Sequence, residues 1–534
     1  MNKISSSSKI QRLLKESRLY CQSGRLEEAK VIYENLLKIV PVHPEVLGNL
    51  GTIELQNGNT ELGVAHLKKS ISIDPLQFNF LMNLGNGLLD LNNPLEGFSY
   101  YEAACKLNSQ SSDVFYNKGR AFKSLGRYQE AIECYKSSIK LDSRNYLAHM
   151  NLGFIMNERN QYQEALENYN RAIEIAPGDY QLFYNRGIVY SNLKLQEPAL
   201  DDFDEALRLN PVFKQSLYIK SFIKLASQSF QDGWHLYENR WQTSEKAKYL
   251  KTSVPELTDF SVVNKTIFIW AEQGIGDQIL FSSLLYDAFK TQNHFYVSLE
   301  PRLINLFKRS FSHLDHVTFI SIHERLAESK YDFHLSIGSL GKFFRNSIED
   351  FNSHPKAYLK TDEIQVNALR NKIKKNPQKI CGISWMSQNA EIGKEKSLSL
   401  TELLPILSIP NITFINLQYG ETKKEINSIL NQHGIEIYTI DEIDNFNDLD
   451  GLASLINTCD YIVTSSNVTA HIAGALNKET YLLIPYAHGR IWYWGESENK
   501  SLWYPSIKIY RCTENGLWSH PIEEITSKFK DIKT

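Results

Sequence analysis

The stretch NKGRAFKSLGRYQEAIECYKSSIKLDSRNYLAHMNLG, Asn117–Gly153, begins and ends on one element of a repeating unit. Its two outer glycines belong to the series Gly51, Gly85, Gly119, Gly153 and Gly187, stepped by 34 residues. Sixteen residues behind each glycine runs a second series: Leu67, Tyr101, Tyr135, Tyr169 and Phe203, reaching back to Tyr33 and forward to Tyr237. A third holds small residues: Ala29, Gly63, Gly97, Ala131, Ala165, Ala199 and Gly233. Pro41, Pro75, Pro177 and Pro211 close several units. This is the pattern of a helix–turn–helix pair. The glycine admits close approach of two helices, and the small residue faces it across the hairpin. The large side chain fills space against the next pair. Proline stops the second helix because it has no N–H to continue it. One hairpin cannot bury its own apolar face, so the units are expected to stack into a superhelix with a groove. Six full units are expected, then a degenerate seventh ending in GWHLYENRW, Gly233–Trp241.

These three registers resemble the tetratricopeptide repeat. A fourth register is asparagine, at Asn49, Asn83, Asn117, Asn151 and Asn185, two residues before each glycine. It falls on the first helix of each pair, which lines the inner surface. A row of carboxamides can donate to and accept from an extended peptide backbone. The arrangement resembles the asparagine ladder of the eukaryotic O-GlcNAc transferases, and that resemblance implies a peptide-binding groove. The plainer alternative is that asparagine is common at this repeat position.

The 534 residues exceed what one core holds, and about three folding units are expected. A net charge of −3 gives no reason to expect a nucleic-acid partner. No apolar run is long enough for a membrane span. The N-terminal MNKISSSSKIQRLLKES lacks an apolar core and cleavage site, so a cytoplasmic protein is expected. The six cysteines form no CxxC pair and read as free thiols.

The helical rhythm stops near residue 245. Residues 1–243 read as the solenoid, and 244–264, polar and carrying Pro255, as a linker. Beyond it, short apolar runs alternate with amphipathic segments, as in βα units of a parallel sheet. The first set is TIFIWA (266–271), FYVSL (295–299), VTFISI (317–322) and FHLSI (333–337). The second is ICGISW (380–385), ITFINL (412–417), IEIYTI (435–440), YIVTSS (461–466) and TYLLIP (480–485). Two Rossmann-like domains are expected, 265–375 and 376–534, with ligands at the carboxyl ends of their strands.

The first strand runs into Glu272-Gln273-Gly274-Ile275-Gly276-Asp277-Gln278. The glycines allow a tight strand-to-helix turn. Asp277 at the helix start could act as a general base toward a hydroxyl, or simply cap the helix. Asp448-Leu449-Asp450 precedes the apolar run GLASLI, so these carboxylates read as helix N-terminal groups and no metal is assigned.

Residues 267–289 resemble the opening of the lipopolysaccharide heptosyltransferases and their repeat-linked relatives. Two further segments carry the likeness: GISWMSQNAEIGKEKSLSL (382–400) and YIVTSSNVTAHIAGALNKETYLLIPY (461–486). The closing GRIWYWGESENKSLWYPS (489–506) is similar to the repeat-linked branch. The resemblance implies a two-domain transferase fold of GT-B type, with the first half on the acceptor side and the second holding a nucleotide sugar. It implies an inverting transfer without a metal or other cofactor, in which Asp277 is the base. Lys396, or alternatively Lys394, would lie by the donor diphosphate. Trp385 and Ser387 would touch phosphate or base. Gly274, Gly276, Gln278, Gln418, Ser466, Asn467, Thr469 and His471 complete the donor set, although His471 is equally a histidine packing its turn. The heptosyltransferases carry an aspartate where this chain has Ser466, and there it helps hold the sugar. That departure argues against heptose.

The reading is therefore a glycosyltransferase with a nucleotide-sugar donor and a protein or peptide acceptor on the repeat groove. Two rivals stand beside it: a non-catalytic repeat scaffold with a degenerate transferase domain, and transfer to a lipid-linked glycan.

Overall fold

A computed structural model describes residues 2–243, 249–272, 274–352, 355–373, 379–389, 392–486, 491–496, 499–514 and 516–531. Residues 244–248 of the expected linker lie outside the described residues. So do 374–378, in the polar run expected to separate the two α/β halves, and 489–490 and 497–498 of the closing segment. Two compact units divide the chain, residues 1–189 and 190–534.

Fourteen helices come first among the described residues. In chain order they are α1 (Asn2–Gln22), α2 (Leu26–Ile39), α3 (Pro44–Gln56), α4 (Thr60–Ile73), α5 (Phe78–Asp90), α6 (Pro94–Leu107) and α7 (Ser112–Ser124). Then follow α8 (Tyr128–Leu141), α9 (Tyr146–Glu158), α10 (Tyr162–Ile175), α11 (Tyr180–Asn192), α12 (Gln196–Leu209), α13 (Gln215–Ala226) and α14 (Phe230–Tyr237). The turn inside each pair contains one residue at positive φ: Gly24, Gly58, Asn92, Gly126, Asn160, Lys194 and Gln228. That is a further 34-residue series with mixed side chains, so it is visible in the backbone and not in the letters. Glycine and asparagine enter this region readily.

The expected glycine contacts form. A Cβ at Gly85 would sit 2.4 Å from the Tyr101 ring, and one at Gly119 would sit 2.5 Å from Tyr135. Each aromatic therefore packs on the glycine of its own hairpin, and Tyr33 and Tyr101 also cluster with Val46 and Val114 of the next pair, as the spacing suggests.

Among the described residues of the second unit, ten strands form two parallel sheets. One has β1 (Thr266–Trp270), β2 (His294–Leu299), β3 (Val317–Ser321) and β4 (Phe333–Ser336), ordered β3-β2-β1-β4. The other has β5 (Lys379–Ser384), β6 (Ile412–Asn416), β7 (Ile437–Tyr438), β8 (Tyr461–Ser465), β9 (Thr480–Ile484) and β10 (Ile507–Arg511), ordered β10-β9-β8-β5-β6-β7. Nine of these strands coincide with the apolar runs, although β7 shrinks to two residues. The tenth, IKIYR, carries Lys508 and Arg511 and so escapes a search for apolar runs. Ile267, Ile269, Val297 and Leu335 are buried in the first sheet, as side chains covered on both faces must be.

The strand orders locate the working edge. In the first sheet the order reverses beside β1 and β4, and in the second beside β8 and β5. Crevices open at the carboxyl ends of such strands. The helix α15 (Ile275–Ser282) follows β1, helix Val468–Ala475 follows β8, and these two helices pack on each other. The helices that follow the two switch-point strands thus lie against each other.

The compact second unit also includes α12–α14, which the sequence groups with the repeats. Trp234 of α14 is buried and lies edge-on to Phe281, Trp492 and Trp503. Its indole N–H donates to the Arg345 carbonyl at 2.7 Å. The described part of the linker docks as well: Leu257 N–H donates to the His334 carbonyl of β4.

Candidate functional site

Asp277 stands in the first turn of α15, after the N-cap Gly274. Its carboxyl turns back toward the helix start, where the Gly274 and Asp277 N–H groups favour the ionised form. It is half-buried. Burial first, and then the charge of Glu272, push its pKa up to about 6; Lys396 and the backbone amides pull the other way. It is thus both a helix N-terminal carboxylate and a group that titrates near neutrality. Such perturbation is characteristic of functional carboxylates.

The two glycines of this turn differ in purpose. A Cβ on Gly276 would lie 2.9 Å from His471 Cδ2, so glycine there lets the two helix starts meet. Gly274 has an ordinary negative φ, and a Cβ on it would meet only the Asp277 carboxyl at 3.5 Å. Gln278 points away from the helix start: its Oε1 accepts from Glu300 N–H at 2.9 Å, fixing the end of β2.

Lys396 comes from the loop after β5. It is buried whereas Lys394 is exposed, and its charge acts on Asp277. Burial lowers its pKa, and Asp277 opposes that. Gly393 makes the loop possible, because a Cβ there would sit 2.3 Å from the Asn389 carbonyl. Its own carbonyl accepts from the Lys396 amide and the Ser397 hydroxyl. Ser397 Oγ in turn accepts from Ser387 N–H at 2.9 Å.

The floor on the second sheet's side is a carboxamide network. Gln418 Oε1 accepts from the Ser384 hydroxyl and from the Trp385 and Met386 amides. Asn467 caps helix Val468–Ala475 through the Thr469 N–H at 3.0 Å, and its Nδ2 donates to Ser384 Oγ and the Met386 carbonyl. Both residues shape the ends of β5 and β8 and are themselves buried. Trp385 departs from its expected role. Its side chain is 0% exposed in the core under the second sheet, and its indole N–H donates to Glu425 at 2.9 Å. Strand alternation explains this, since the residue after Ser384 faces the opposite side. Ser466 is also buried, and its Oγ accepts from the Trp494 indole at 2.9 Å. Thr469 Oγ1 and the neighbouring Ser465 Oγ are fully buried with no hydrogen-bond partner among the described residues. Unpaired buried hydroxyls in a native site call for a partner such as a ligand or water.

His471 is stacked on Trp494 and lies within hydrogen-bond distance of the Tyr504 and Tyr493 hydroxyls, at 3.1 and 3.2 Å. Burial and the charge of Lys396 push its pKa down to about 3, so it is neutral. It packs the turn and ties Tyr493 and Tyr504 to it.

Three participants escape the sequence reading. Tyr493 and Tyr504 both feel the Asp277 charge. The third is Arg240, on the 3-10 turn Glu238–Gln242 behind α14, 3% exposed and paired in two places with the Glu272 carboxylate at 2.7 and 3.0 Å. Its Nη2 also donates to Ser336 and Ser339, and Glu272 accepts from Gly338 N–H. The small-residue and aromatic registers do mark Gly233 and Tyr237, but they assign no role to the arginine three residues after Tyr237.

The Asp448-x-Asp450 pair is accounted for. Asp448 caps helix Leu449–Thr458 through Gly451 N–H at 2.8 Å, and Asp450 pairs with Arg309 in two places at 2.6 Å. Among the described residues no group of three or more His, Cys, Asp or Glu side chains is placed to hold a metal, and no helix is long and apolar enough to cross a membrane.

In the repeats, the asparagine register is engaged within the array. Asn117 and Asn151 are buried, and their oxygens accept from Arg120 at 3.1 Å and Lys123 at 2.6 Å. Asn83 Nδ2 donates to Thr52 Oγ1. Asn49 and Asn185 are half-buried.

Family models described as TPR repeat match residues 119–158 and 155–194, and a model described as Tetratricopeptide repeat matches 44–75 and 180–213. Those segments are tetratricopeptide repeats. The chain is similar to the protein FlbA of Caulobacter vibrioides, 25% identical over 336 residues, which is 59% of this chain and 55% of that protein. It thus spans about half the length of this curated relative. Among solved structures it is similar to YrrB, described as a TPR protein with an unusual peptide-binding site. The two are 20% identical over 35% of this chain and 97% of that chain, with a TM-score of 0.29. A tetratricopeptide repeat protein from Parabacteroides merdae is 17% identical over 45% of this chain and 95% of that chain, with a TM-score of 0.38.

Proposed function

We propose that the α/β part of this chain is an inverting glycosyltransferase using a nucleotide-sugar donor, and that the repeats bind its protein acceptor. The observation that carries the reading is that Asp277, at the start of the helix after β1, and Lys396, on the loop after β5, lie near enough to act on each other's charge. A base on one wall and a cation on the other is what sugar transfer needs. In the proposed step the Asp277 carboxylate takes the proton of an acceptor hydroxyl. The hydroxyl oxygen forms a bond to the anomeric carbon as the bond from that carbon to the diphosphate oxygen breaks. The nucleoside diphosphate leaves with the electron pair, and Lys396 offsets the charge that grows on it. The N–H groups at the start of helix Val468–Ala475, and the unpaired Ser465 and Thr469 hydroxyls, suit the same diphosphate. With the base pKa at about 6, the carboxylate is the major form at neutral pH.

A panel of UDP-, GDP- and ADP-sugars tests this. One of them is expected to raise the thermal transition, since a ligand that binds only the folded state stabilises it. Nucleotide release from that donor should rise with pH through about 6 and vanish in Asp277→Asn, while the donor shift persists. Turnover surviving in Asp277→Asn removes the aspartate from its role.

The scaffold reading draws on a different observation: the place where heptosyltransferases hold their sugar with an aspartate is here a serine tied up by the Trp494 indole. No shift with any donor in the panel favours that reading.

A further inference from the structure

In the unit formed by residues 1–189, first helices of successive hairpins touch (α3 with α5, α5 with α7), so they form the inner row of the repeats. On this row α7 carries Arg120 and Lys123, three positions apart and hence on one face. Arg120 Nη1 reaches back to Asn86 Oδ1 on α5 at 3.3 Å and to Asn117 Oδ1 at 3.1 Å. Lys123 Nζ reaches forward to Asn151 Oδ1 on α9 at 2.6 Å. Both cations are half-buried. Neither has a carboxylate within 4 Å among the described residues, whereas other cations of this unit do: Lys30 has Glu54, Lys68 has Glu96, and the neighbouring Lys118 has Glu102. Burial strips hydration from Lys123 and, with the repulsion of Arg120 added, lowers its pKa. Three neutral carboxamide oxygens return only part of what a carboxylate would. Aromatic rings flank the pair. Lys123 Nζ lies 4.8 Å from the ring centre of Phe154, which is 37% exposed, and Arg120 Cζ lies 6.0 Å from that of Tyr116.

We propose that this face of α7 is a docking site for an acidic peptide segment, with one Asp or Glu carboxylate bridging Arg120 and Lys123. The charge that the row lacks identifies the occupant. The register of asparagines then has a different task from contacting the peptide backbone. Asn117 and Asn151 of that register, together with Asn86 outside it, hold the two cations in place. The proposal rests on the repeats being a protein-binding surface and is independent of the sugar chemistry.

The test uses the full chain and two fluorescein-labelled 12-residue peptides in a Gly/Ser background, one with four glutamates and one with glutamines at those positions. Fluorescence anisotropy is expected to show the glutamate peptide binding roughly tenfold or more tightly, in line with one charge-assisted contact. Added salt should weaken it. The preference should disappear in Arg120→Gln with Lys123→Gln and persist in Arg120→Lys. Lys123→Met, which keeps the stem over Phe154, gives the same reading if the double variant does not fold. Equal binding of the two peptides, or a preference that survives in the double variant, overturns the proposal. So does a single-stranded oligothymidylate that displaces the peptide at lower concentration than the unlabelled peptide does. No sugar nucleotide is present, so the outcome stands apart from that of the donor panel.

Discussion

Asp277 ties several of these observations to one side chain. Its carboxyl is raised to about 6 from an ordinary value near 4, chiefly by burial and by Glu272. A carboxyl raised in the folded state is fully favourable only below its unfolded pKa, and that advantage is lost as pH rises through the folded one. Holding the charge at neutral pH therefore costs stability, on the order of 2 kcal/mol for a shift of this size. Asp277→Asn is expected to melt higher than the parent at pH 7.5 and level with it at pH 4. Equal melting at both values would show that the site does not strain this carboxylate. The same substitution is expected to end turnover, the opposing signs expected where a function is built at the expense of stability.

The hairpin turns and the hairpin seams use glycine for different reasons, and the two can be separated by experiment. Gly126 sits at φ +71 with nothing within 4 Å of its missing Cβ, so Gly126→Ala should cost only the left-handed backbone, about 1 kcal/mol. Gly85 has an ordinary helical φ, but a Cβ there would meet the Tyr101 ring at 2.4 Å. Gly85→Ala should therefore act by overpacking and cost about 1–3 kcal/mol. Asn160 marks the same turn position as Gly126 one repeat on, and Asn160→Gly should be neutral or slightly stabilising. Urea denaturation of the single variants measures all three. A larger loss at Gly126 than at Gly85 would contradict the assignment of strain to turns and clash to seams.

The seventh repeat matters most to the chain as a whole. Its Trp234 and Tyr237 are at most 1% exposed, against Phe281 and Trp492, and its Arg240 supplies the charge opposite Glu272 behind the Asp277 turn. Losing one such aromatic costs about 3–5 kcal/mol, and leaving a buried charge unpaired costs a similar amount. A fragment of residues 190–534 is therefore expected to be soluble with a cooperative melt, and one of residues 244–534 is expected to aggregate. Arg240→Met should destabilise more than Arg240→Met with Glu272→Gln, because the double variant leaves no buried charge without its partner. A soluble, cooperatively folded 244–534 fragment would show that the last repeat is an ornament to this domain.

The hairpin array and nine of the strands were legible from the chain alone, because helix pairing and parallel strands impose periods of 34 residues and short apolar runs that local composition must obey. β10 was not, since its lysine and arginine break the run that marks a covered strand. Asp277 could be singled out as the residue opening a helix after the first strand, but not its pKa, which depends on Glu272 five residues back and Lys396 more than a hundred residues on. The choice of Lys396 over Lys394, the turning of Trp385 into the core, and the link from Arg240 to Glu272 belonged to the tertiary structure alone. A period records what each residue does along its own element. Which side chains meet across elements depends on how those elements pack, and contacts such as Trp234 to Arg345, 111 residues apart, leave no trace in local spacing.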